Sequence, residues 1–185
     1  MEGDRTVQAR AAWRVLETAE QLFAEADIDQ ALDRMALALR HAVAGANPIL
    51  MVVLNGAVVF AGHLLPRLDF PLEVDYIHAT RYRGALTGGE LAWVAGPSMP
   101  VVGRTVVLLD DILDEGTTLA ALAESLQARG ASRVLKAVLV TKLRSRAPDL
   151  AADFSGLDVP DRYVFGCGMD YEGYLRNTKG IYALK

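Results

Sequence analysis

Residues 106–119 read VVLLDDILDEGTTL, and the interpretation of the whole chain starts from this stretch. Its first four residues are apolar and partly β-branched, a pattern typical of a strand that is buried on both faces. Four acidic residues follow at the point where the predicted strand stops: Asp110, Asp111, Asp114 and Glu115. A helix is predicted over residues 118–129, because its leucines share one face. The acids therefore lie between a buried strand and the start of a helix.

The start of this helix is a predicted anion site. Backbone N–H groups in the first turn of a helix lack partners within the helix, and the peptide dipoles make that end positive. Gly116, Thr117 and Thr118 can therefore wrap a phosphate group, with the hydroxyls as added donors. The neighbouring acids would repel a phosphate unless they bind sugar hydroxyls or a divalent cation such as Mg²⁺. The stretch thus predicts a ribose-phosphate site that also uses a metal ion.

Two other interpretations of the stretch remain open. In the first, Asp114 and Thr118 simply cap the helix, while Asp110 and Asp111 are solvated turn residues. In the second, DDILD is the DDxxD motif with which terpene and polyprenyl synthases hold Mg²⁺ and diphosphate. That motif lies within helices of all-helical proteins, whereas here a β-branched strand runs directly into the first acid. Four acids followed by Gly-Thr-Thr at a strand end favour the ribose-phosphate site.

Strands and helices alternate around this motif. Residues 105–109, 118–129 and 133–141 form a predicted βαβ unit, and residues 48–54 followed by 58–65 repeat the order of strand, turn and helix. Repeated units of this kind predict the α/β class, with a parallel sheet covered by helices on both faces. Ligands of such sheets collect at the carboxyl ends of the strands, which is where the acids lie.

The rest of the chain supplies covering helices and further strands. Helices are predicted over residues 10–26 and from about residue 27 to Gly45, and the glycine-rich loop at residues 81–90 is a candidate lid. Additional strands are predicted at residues 72–80, 91–94, 163–165 and 181–184. No linker or repeat divides the sequence, so residues 1–185 are expected to form a single domain.

Composition narrows the possible functions. The chain has 185 residues, 52% of them hydrophobic, which is enough for a buried core. Its net charge of -4 gives no electrostatic reason to expect nucleic acid as a partner. One cysteine and three histidines argue against a Cys/His zinc cluster, so oxygen atoms would hold any metal. The sequence has neither a membrane-spanning apolar run nor a secretory signal, so we expect a cytoplasmic protein with no membrane partner.

The motif and its surroundings resemble a known enzyme family. VVLLDDILDEGTTL is similar to the phosphoribosyl pyrophosphate (PRPP) motif of type I phosphoribosyltransferases. Four other segments are similar in order and spacing to the hypoxanthine-guanine phosphoribosyltransferases: LNGAVVFAGHLL at 54–65, RYRG at 81–84, LVTKLRSR at 139–146 and VPDRYVFGCGMDYEGYLRN at 159–177. The resemblance implies a Rossmann-like core with a mainly parallel sheet, N-terminal helices at about 10–44, and a small hood from the terminal segments, including about 160–185.

The resemblance also implies a reaction in purine salvage. Ribose 5-phosphate would pass from PRPP to hypoxanthine or guanine, giving IMP or GMP and pyrophosphate, with Mg²⁺ as cofactor. Asp110 and Asp111 would contact the ribose hydroxyls directly or through Mg²⁺, and Asp170 would position a second Mg²⁺. Asp114 would face purine N7 as a general base or acid. The 5-phosphate would be held by four consecutive residues: Glu115, Gly116, Thr117 and Thr118. Because the family often has Thr or Ser at the first of these, the Glu115 side chain is expected to point away from the phosphate.

The purine would be held by three residues of the C-terminal half. The resemblance implies that Lys142 donates to the 6-oxo group, which would select oxopurines over adenine. Tyr163 would stack on the base, and the backbone carbonyl of Val164 would bind the purine edge. Taken without the resemblance, Lys142 is a solvated lysine at a strand end, and the other two are ordinary strand residues.

Pyrophosphate would be bound at two places. Arg176 would contact it through the planar fork of guanidinium donors. The turn at Asn55 and Gly56 would bind it through backbone groups, often around a cis peptide bond, although the family usually has Lys where Asn55 stands. In the predicted lid, Arg81 replaces the usual Ser, and Tyr82 is still expected to help close the loop over the site.

Two competing functions remain open. A regulatory protein that keeps this fold and the PRPP site would be expected to show a basic face, whereas this chain is acidic overall and retains Asp114, Lys142 and Asp170. A phosphoribosyltransferase for xanthine, uracil or adenine is the other alternative. The C-terminal match favours 6-oxopurines, and the choice among them depends on the surroundings of Val164 and Asp170. Family members commonly form homodimers or homotetramers, so a second copy of the chain is an expected partner.

Overall fold

Four α-helices and nine strands lie within residues 2–81 and 91–185, the part of the chain that this computed structural model describes. The helices are α1 (Glu2–Thr18), α2 (Glu25–Val43), α3 (Ala57–Leu64) and α4 (Thr117–Ala128). The strands are β1 (Glu20–Phe23), β2 (Ile49–Val53), β3 (Glu73–Arg81), β4 (Leu91–Ala95), β5 (Thr105–Leu113), β6 (Arg133–Lys142), β7 (Phe154–Val159), β8 (Val164–Phe165) and β9 (Ile181–Ala183).

The central sheet has six strands in the order β4-β3-β2-β5-β6-β7. Every neighbouring pair is parallel except β3 and β4, which are antiparallel. The apolar residues of α2 and α3 pack on one face of this sheet, and the three buried leucines of α4 pack on the other. The predicted α/β class, with a mainly parallel sheet covered on both faces, is therefore confirmed. The turns that follow β2 and β5 leave the same edge of the sheet.

The acidic motif begins inside a strand, which corrects the predicted position of its first two residues. The sequence pattern predicts that strand β5 stops before Asp110, but the strand continues to Leu113, because its pairing with β6 extends from Thr105 to Leu113. Asp110 pairs with Val138 and therefore belongs to the strand. Asp111 is 9% exposed, so it is not a solvated turn residue.

A second, smaller sheet is formed by segments from both ends of the chain. Strand β9 lies in its middle and pairs antiparallel with β1 on one side and β8 on the other. This sheet is the hood that the resemblance implied. The predicted helix at residues 10–26 is wrong in its second half, since α1 ends at Thr18 and β1 follows. The local sequence of β1 is compatible with a helix, but its hydrogen bonding to β9 makes this segment a strand.

Two further observations bear on the predictions. No helix among the described residues is long and apolar enough to cross a membrane. The predicted lid lies outside the described residues except for Arg81, the last residue of β3, so the expected role of Tyr82 remains a prediction.

Candidate active site

A cleft of about 580 Å³ opens at the carboxyl ends of β2 and β5. Its walls are residues 53–56, residues 110–119, Asp170 and Arg176. The first group is the turn after β2, the second is the acidic motif with the start of α4, and the last two come from the loop between β8 and β9. Three segments that are distant in sequence thus meet where ligands of parallel sheets bind.

The two acids of β5 form the floor of this cleft. Asp110 accepts a hydrogen bond from the Asp111 backbone N–H at 3.0 Å. Burial, together with the adjacent Asp111 charge, raises the pKa of Asp110 well above its ordinary value. Burial also raises the pKa of Asp111, although Arg176, whose Nη1 lies 3.9 Å from Oδ2 of Asp111, opposes the shift. Arg176 alone cannot neutralise two adjacent carboxylates, so this part of the cleft carries excess negative charge.

The turn after β2 packs directly against this acidic floor. The peptide bond between Leu54 and Asn55 is cis, as the resemblance implied. A Cβ atom placed on Gly56 would lie 2.1 Å from Oδ2 of Asp111, and one placed on Gly168 would lie 2.3 Å from the Gly56 carbonyl oxygen. The turn is thus held between a strand and the hood loop, and its backbone lines the cleft beside the acids.

Replacing Gly56 by Ala is expected to push the Asp111 carboxylate out of place, because the added methyl group would overlap it. If the cleft binds PRPP, KM for PRPP should rise at least about 10-fold, since the loss of one charge-assisted contact has this size. Steady-state kinetics with PRPP as the varied substrate would measure the change. Gly62→Ala in α3 is the matched control, because a Cβ there meets nothing within 4 Å. An equal rise in KM for both variants would contradict the prediction.

The start of α4 has the features of a phosphate cradle. Gly116 adopts φ +86°, and a Cβ on it would lie 2.5 Å from the Leu150 carbonyl oxygen, so the position requires glycine. Ala120 donates to the Gly116 carbonyl at 2.9 Å. The N–H groups of residues 117–119 precede this first helical bond and border the cleft. No side chain caps this helix among the described residues, which contradicts the capping interpretation of Asp114 and Thr118.

A second cavity of about 180 Å³ adjoins the cleft. It is lined by Lys142 at the end of β6, by Tyr163 and Val164 at the start of the hood, and by Met169. Tyr163 is half exposed, and its hydroxyl donates to the Asp170 backbone carbonyl at 3.0 Å. Four residues line both cavities: Asp111, Ile112, Asp114 and Asp170. A ligand that filled both cavities would therefore pass next to these four residues.

Asp114 stands at the junction of the two cavities and is held by two cations. Lys142 Nζ donates to Oδ2 at 2.8 Å, and Arg144 Nη1 donates to Oδ1 at 2.5 Å. Partial burial favours the neutral carboxyl, but the hydrogen bonds from Lys142 and Arg144 outweigh it, so the pKa of Asp114 lies below its ordinary value. Asp114 is therefore a carboxylate near neutral pH and can accept a proton or a hydrogen bond.

Arg176 closes the cleft from the hood side. Its Nη2 lies 2.6 Å from Oδ1 of Asp170, and its Nη1 donates to the Gly168 carbonyl at 2.7 Å. The other Asp170 oxygen accepts from the Gly173 N–H at 2.8 Å. The guanidinium is thus fixed between a carboxylate and a backbone carbonyl, with one edge toward Asp111.

The described residues contain no group of three His, Cys, Asp or Glu side chains placed to hold a metal ion by themselves. The acids do supply oxygen donors to one cleft, and these suit Mg²⁺. Mg²⁺ is commonly bound by one or two carboxylates together with substrate phosphates. The donor set therefore fits a metal ion that a phosphorylated substrate helps to hold.

All the predicted site residues that lie within the described chain line one of the two adjoining cavities. Sequence reasoning gave no role to three charged residues beside them. Arg144 pairs with Asp114, Asp161 lies 3.7 Å from Arg144, and Arg146 donates to the backbone carbonyls of both Asp114 and Lys142. Their spacing in LVTKLRSR and VPDRY was visible in the sequence, but the partners across the loops were not.

Comparison with known proteins identifies the class. The phosphoribosyl transferase domain model matches residues 18–172. The hypoxanthine-guanine phosphoribosyltransferase of Streptococcus thermophilus is 34% identical over 89% of this chain and 92% of that protein. The hypoxanthine-guanine-xanthine phosphoribosyltransferase of Tritrichomonas foetus is also 34% identical, over 89% of this chain and 90% of that protein.

A solved structure extends the similarity to the fold. The hypoxanthine phosphoribosyltransferase of Staphylococcus aureus superimposes with a TM-score of 0.84 and 29% identity, over 90% of this chain and 91% of that one. The fold is that of a type I phosphoribosyltransferase. Within that class, the chain belongs to the hypoxanthine-guanine phosphoribosyltransferase family.

Proposed function

We propose that the chain transfers ribose 5-phosphate from PRPP to hypoxanthine or guanine, forming IMP or GMP and pyrophosphate. One observation carries the proposal: the cleft with the phosphate cradle and the cavity beside Lys142 share Asp111, Asp114 and Asp170. A ribose phosphate in the first and a planar base in the second would therefore meet at this shared wall. The family membership supports the same reaction.

The proposed site divides the substrates among its parts. The 5-phosphate lies on the backbone N–H groups at the start of α4, next to Gly116, with the Thr117 and Thr118 hydroxyls as further donors. Glu115 is exposed, which is consistent with a side chain that points away from the phosphate. The ribose hydroxyls face Asp110 and Asp111. These two buried acids carry excess negative charge, which suits a ligand that supplies hydrogen-bond donors or a cation.

The purine occupies the smaller cavity. Tyr163 stacks on it, the Val164 carbonyl accepts from its edge, and Lys142 donates to the 6-oxo group. An ammonium group at this position selects an oxo acceptor over the amino group of adenine. Asp114 lies 2.8 Å from the same ammonium group, so it reaches the neighbouring side of the base, where N7 lies.

The chemical step makes one bond and breaks another. N9 of the purine bonds to the anomeric carbon as the bond from that carbon to the pyrophosphate oxygen breaks. Asp114 takes the proton that the base loses at N7, which its ionised state allows. Arg176 and the backbone of the turn at Asn55 and Gly56 stabilise the leaving pyrophosphate. The residues 81–90 would exclude water from the positively charged ribose, as the resemblance implies.

Mg²⁺ is proposed as the cofactor: Asp110 and Asp111 would hold one ion together with the phosphorylated substrate, and Asp170 would position a second ion. When bound, the ion supplies positive charge to the ribose hydroxyls and the pyrophosphate oxygens. Asp110, Asp111 and Asp170 fit Mg²⁺ because they are carboxylates that line one cleft.

Xanthine is a second candidate substrate. It carries the same 6-oxo group for Lys142, and the similar protein from Tritrichomonas foetus is named for activity on xanthine as well. Adenine and uracil lack this support. The regulatory alternative is not favoured either, since Asp114, Lys142 and Asp170 are retained and line one cavity.

Incubating the protein with PRPP, Mg²⁺ and each nucleobase in turn is expected to give IMP from hypoxanthine and GMP from guanine. Product formation can be followed by chromatography of the nucleotides. Adenine should give at least about 100-fold less product, because it would place an amino group against the Lys142 ammonium. Chelation of the metal should stop the reaction. If neither hypoxanthine nor guanine yields nucleotide, the proposal is wrong.

A further inference from the structure

Asp114 accepts a hydrogen bond from a second cationic side chain, that of Arg144, to which the proposed reaction assigns no role. The two donors divide the carboxylate between them, since Lys142 contacts Oδ2 and Arg144 contacts Oδ1. Arg144 is therefore not a substitute for Lys142. It fixes the other oxygen of the same group.

The local backbone explains how both side chains reach one acid. Beyond β6 the chain bends at residues 143 and 144, where the Arg144 N–H donates to the Lys142 carbonyl oxygen at 2.9 Å. This tight turn leaves the Arg144 side chain within reach of Asp114. Leu143 lies between the two cations and is exposed, while the side chain of Lys142 is only 13% exposed. Arg146 then donates to the carbonyl oxygens of Lys142 and Asp114 at 2.7 and 2.9 Å. The segment after β6 is thereby tied to the end of β5.

Arg144 is itself held from the other side. Its Nε lies 3.7 Å from Oδ2 of Asp161, which precedes the hood strand β8. Lys142 lies 4.0 Å from the same residue, so both cations form ion pairs with Asp161 that are longer than a hydrogen bond. Arg144 and Lys142 thus share Asp114 as their hydrogen-bonded partner, and Asp161 is a second, more distant negative charge for both.

We infer that Arg144 is a positioning residue that keeps the Asp114 carboxylate oriented and ionised when Lys142 engages the purine. The inference rests on the proposed function, in which Lys142 shares its ammonium donors with the 6-oxo group. As that happens, Arg144 remains on Oδ1 and holds the plane of the carboxylate. Asp114 is then ready to accept the proton from the base.

The charged and titratable groups around Asp114 determine the direction of the expected pH effect. They are Lys142, Arg144 and Arg146 from the end of β6, Asp161 and Tyr163 from the segment before β8, Asp170 from the hood loop, and Asp111 and Glu115 from its own segment. Lys142 and Arg144 lower the pKa of Asp114. Without Arg144 this pKa should rise, so the carboxylate would become protonated at a higher pH than in the wild type.

Replacing Arg144 by Gln tests the inference. The acid limb of the pH profile of kcat/KM for hypoxanthine is expected to move up by about 0.5 to 1 pH unit, because a neighbouring cation has been removed. At neutral pH kcat/KM for the purine should fall about 5- to 10-fold while KM for PRPP changes less than about twofold. Arg144→Lys should restore part of the loss, since it keeps the charge without the planar fork.

Arg34→Ala is the matched control, because Arg34 is an exposed arginine on α2 and its loss changes the net charge equally. Its pH profile should match that of the wild type. A carbon-13 NMR titration of the Asp114 carboxyl, assigned through Asp114→Asn, follows the same pKa without any turnover. A wild-type enzyme that makes no nucleotide would refute the proposed function, and the NMR titration would still test Arg144. If the Asp114 titration and the pH profile are both unchanged in Arg144→Gln, the inference is wrong.

Discussion

Replacing Asp114 by Asn is expected to lower kcat by about 100-fold or more, because an amide cannot take the proton that leaves the purine. The substitution keeps the size of the side chain, and Asp114 lies at the junction of the two cavities rather than in the phosphate cradle. The Kd for PRPP should therefore change less than about threefold. Steady-state kinetics and isothermal titration calorimetry would measure the two quantities separately.

The control for this variant is Glu124→Gln, which removes an exposed carboxylate from α4 outside both cavities. Its kcat should equal that of the wild type. Circular dichroism would check that Asp114→Asn still folds, because the substitution leaves Lys142 and Arg144 without their common partner. A kcat within threefold of the wild-type value in a folded Asp114→Asn protein would show that Asp114 is not the proton acceptor.

Gly116→Ala is expected to lower the free energy of unfolding by about 3 kcal/mol, which combines a left-handed backbone conformation with a steric clash. The residue has φ +86°, and the new Cβ would lie 2.5 Å from the Leu150 carbonyl oxygen. For a chain of this length the melting temperature should fall by about 6–12 °C. Because the same backbone forms the start of α4, KM for PRPP should rise as well. Differential scanning calorimetry and PRPP kinetics are the measurements.

Gly103→Ala separates the two causes of this loss. Gly103 also has a positive φ, +71°, but a Cβ there meets nothing within 4 Å. That variant should lose only about 1 kcal/mol, the cost of the backbone conformation, with no change in KM for PRPP. Equal losses of stability in the two variants would mean that contact with Leu150 is unimportant at Gly116.

The parallel core could be predicted because its strands are buried on both faces. In β2 all five residues are buried, so a continuous apolar run marked the strand. Strand β7 was missed because FSGLDV includes Gly156 and Asp158, which weaken any strand signal. A Cβ on Gly156 would lie 2.7 Å from the Leu139 carbonyl oxygen, so this glycine allows β7 to approach β6 closely. Close packing of this kind has no signature in a single sequence.

The site was predictable to the extent that its residues are consecutive in sequence. Asp110 and Asp111 and the Gly-Thr-Thr turn occupy one stretch, and the order of strand, acids and helix indicated the chemistry. Arg144 illustrates the limit. It stands two residues after Lys142, but its contact with Asp114 depends on how the ends of β5 and β6 lie side by side. Such contacts depend on the register between strands, which the sequence pattern does not specify.

The middle position of β9 in the hood sheet has a consequence for the order of folding. Strands β1 and β8 both hydrogen-bond to β9, and the pair Glu20 with Ala183 joins residues from opposite ends of the described chain. Contacts between residues so distant in sequence carry a large loop-closure entropy and form slowly. The β1–β9 pair should therefore form after the parallel core, and the cavity wall that contains Tyr163 and Val164 should become ordered late in folding.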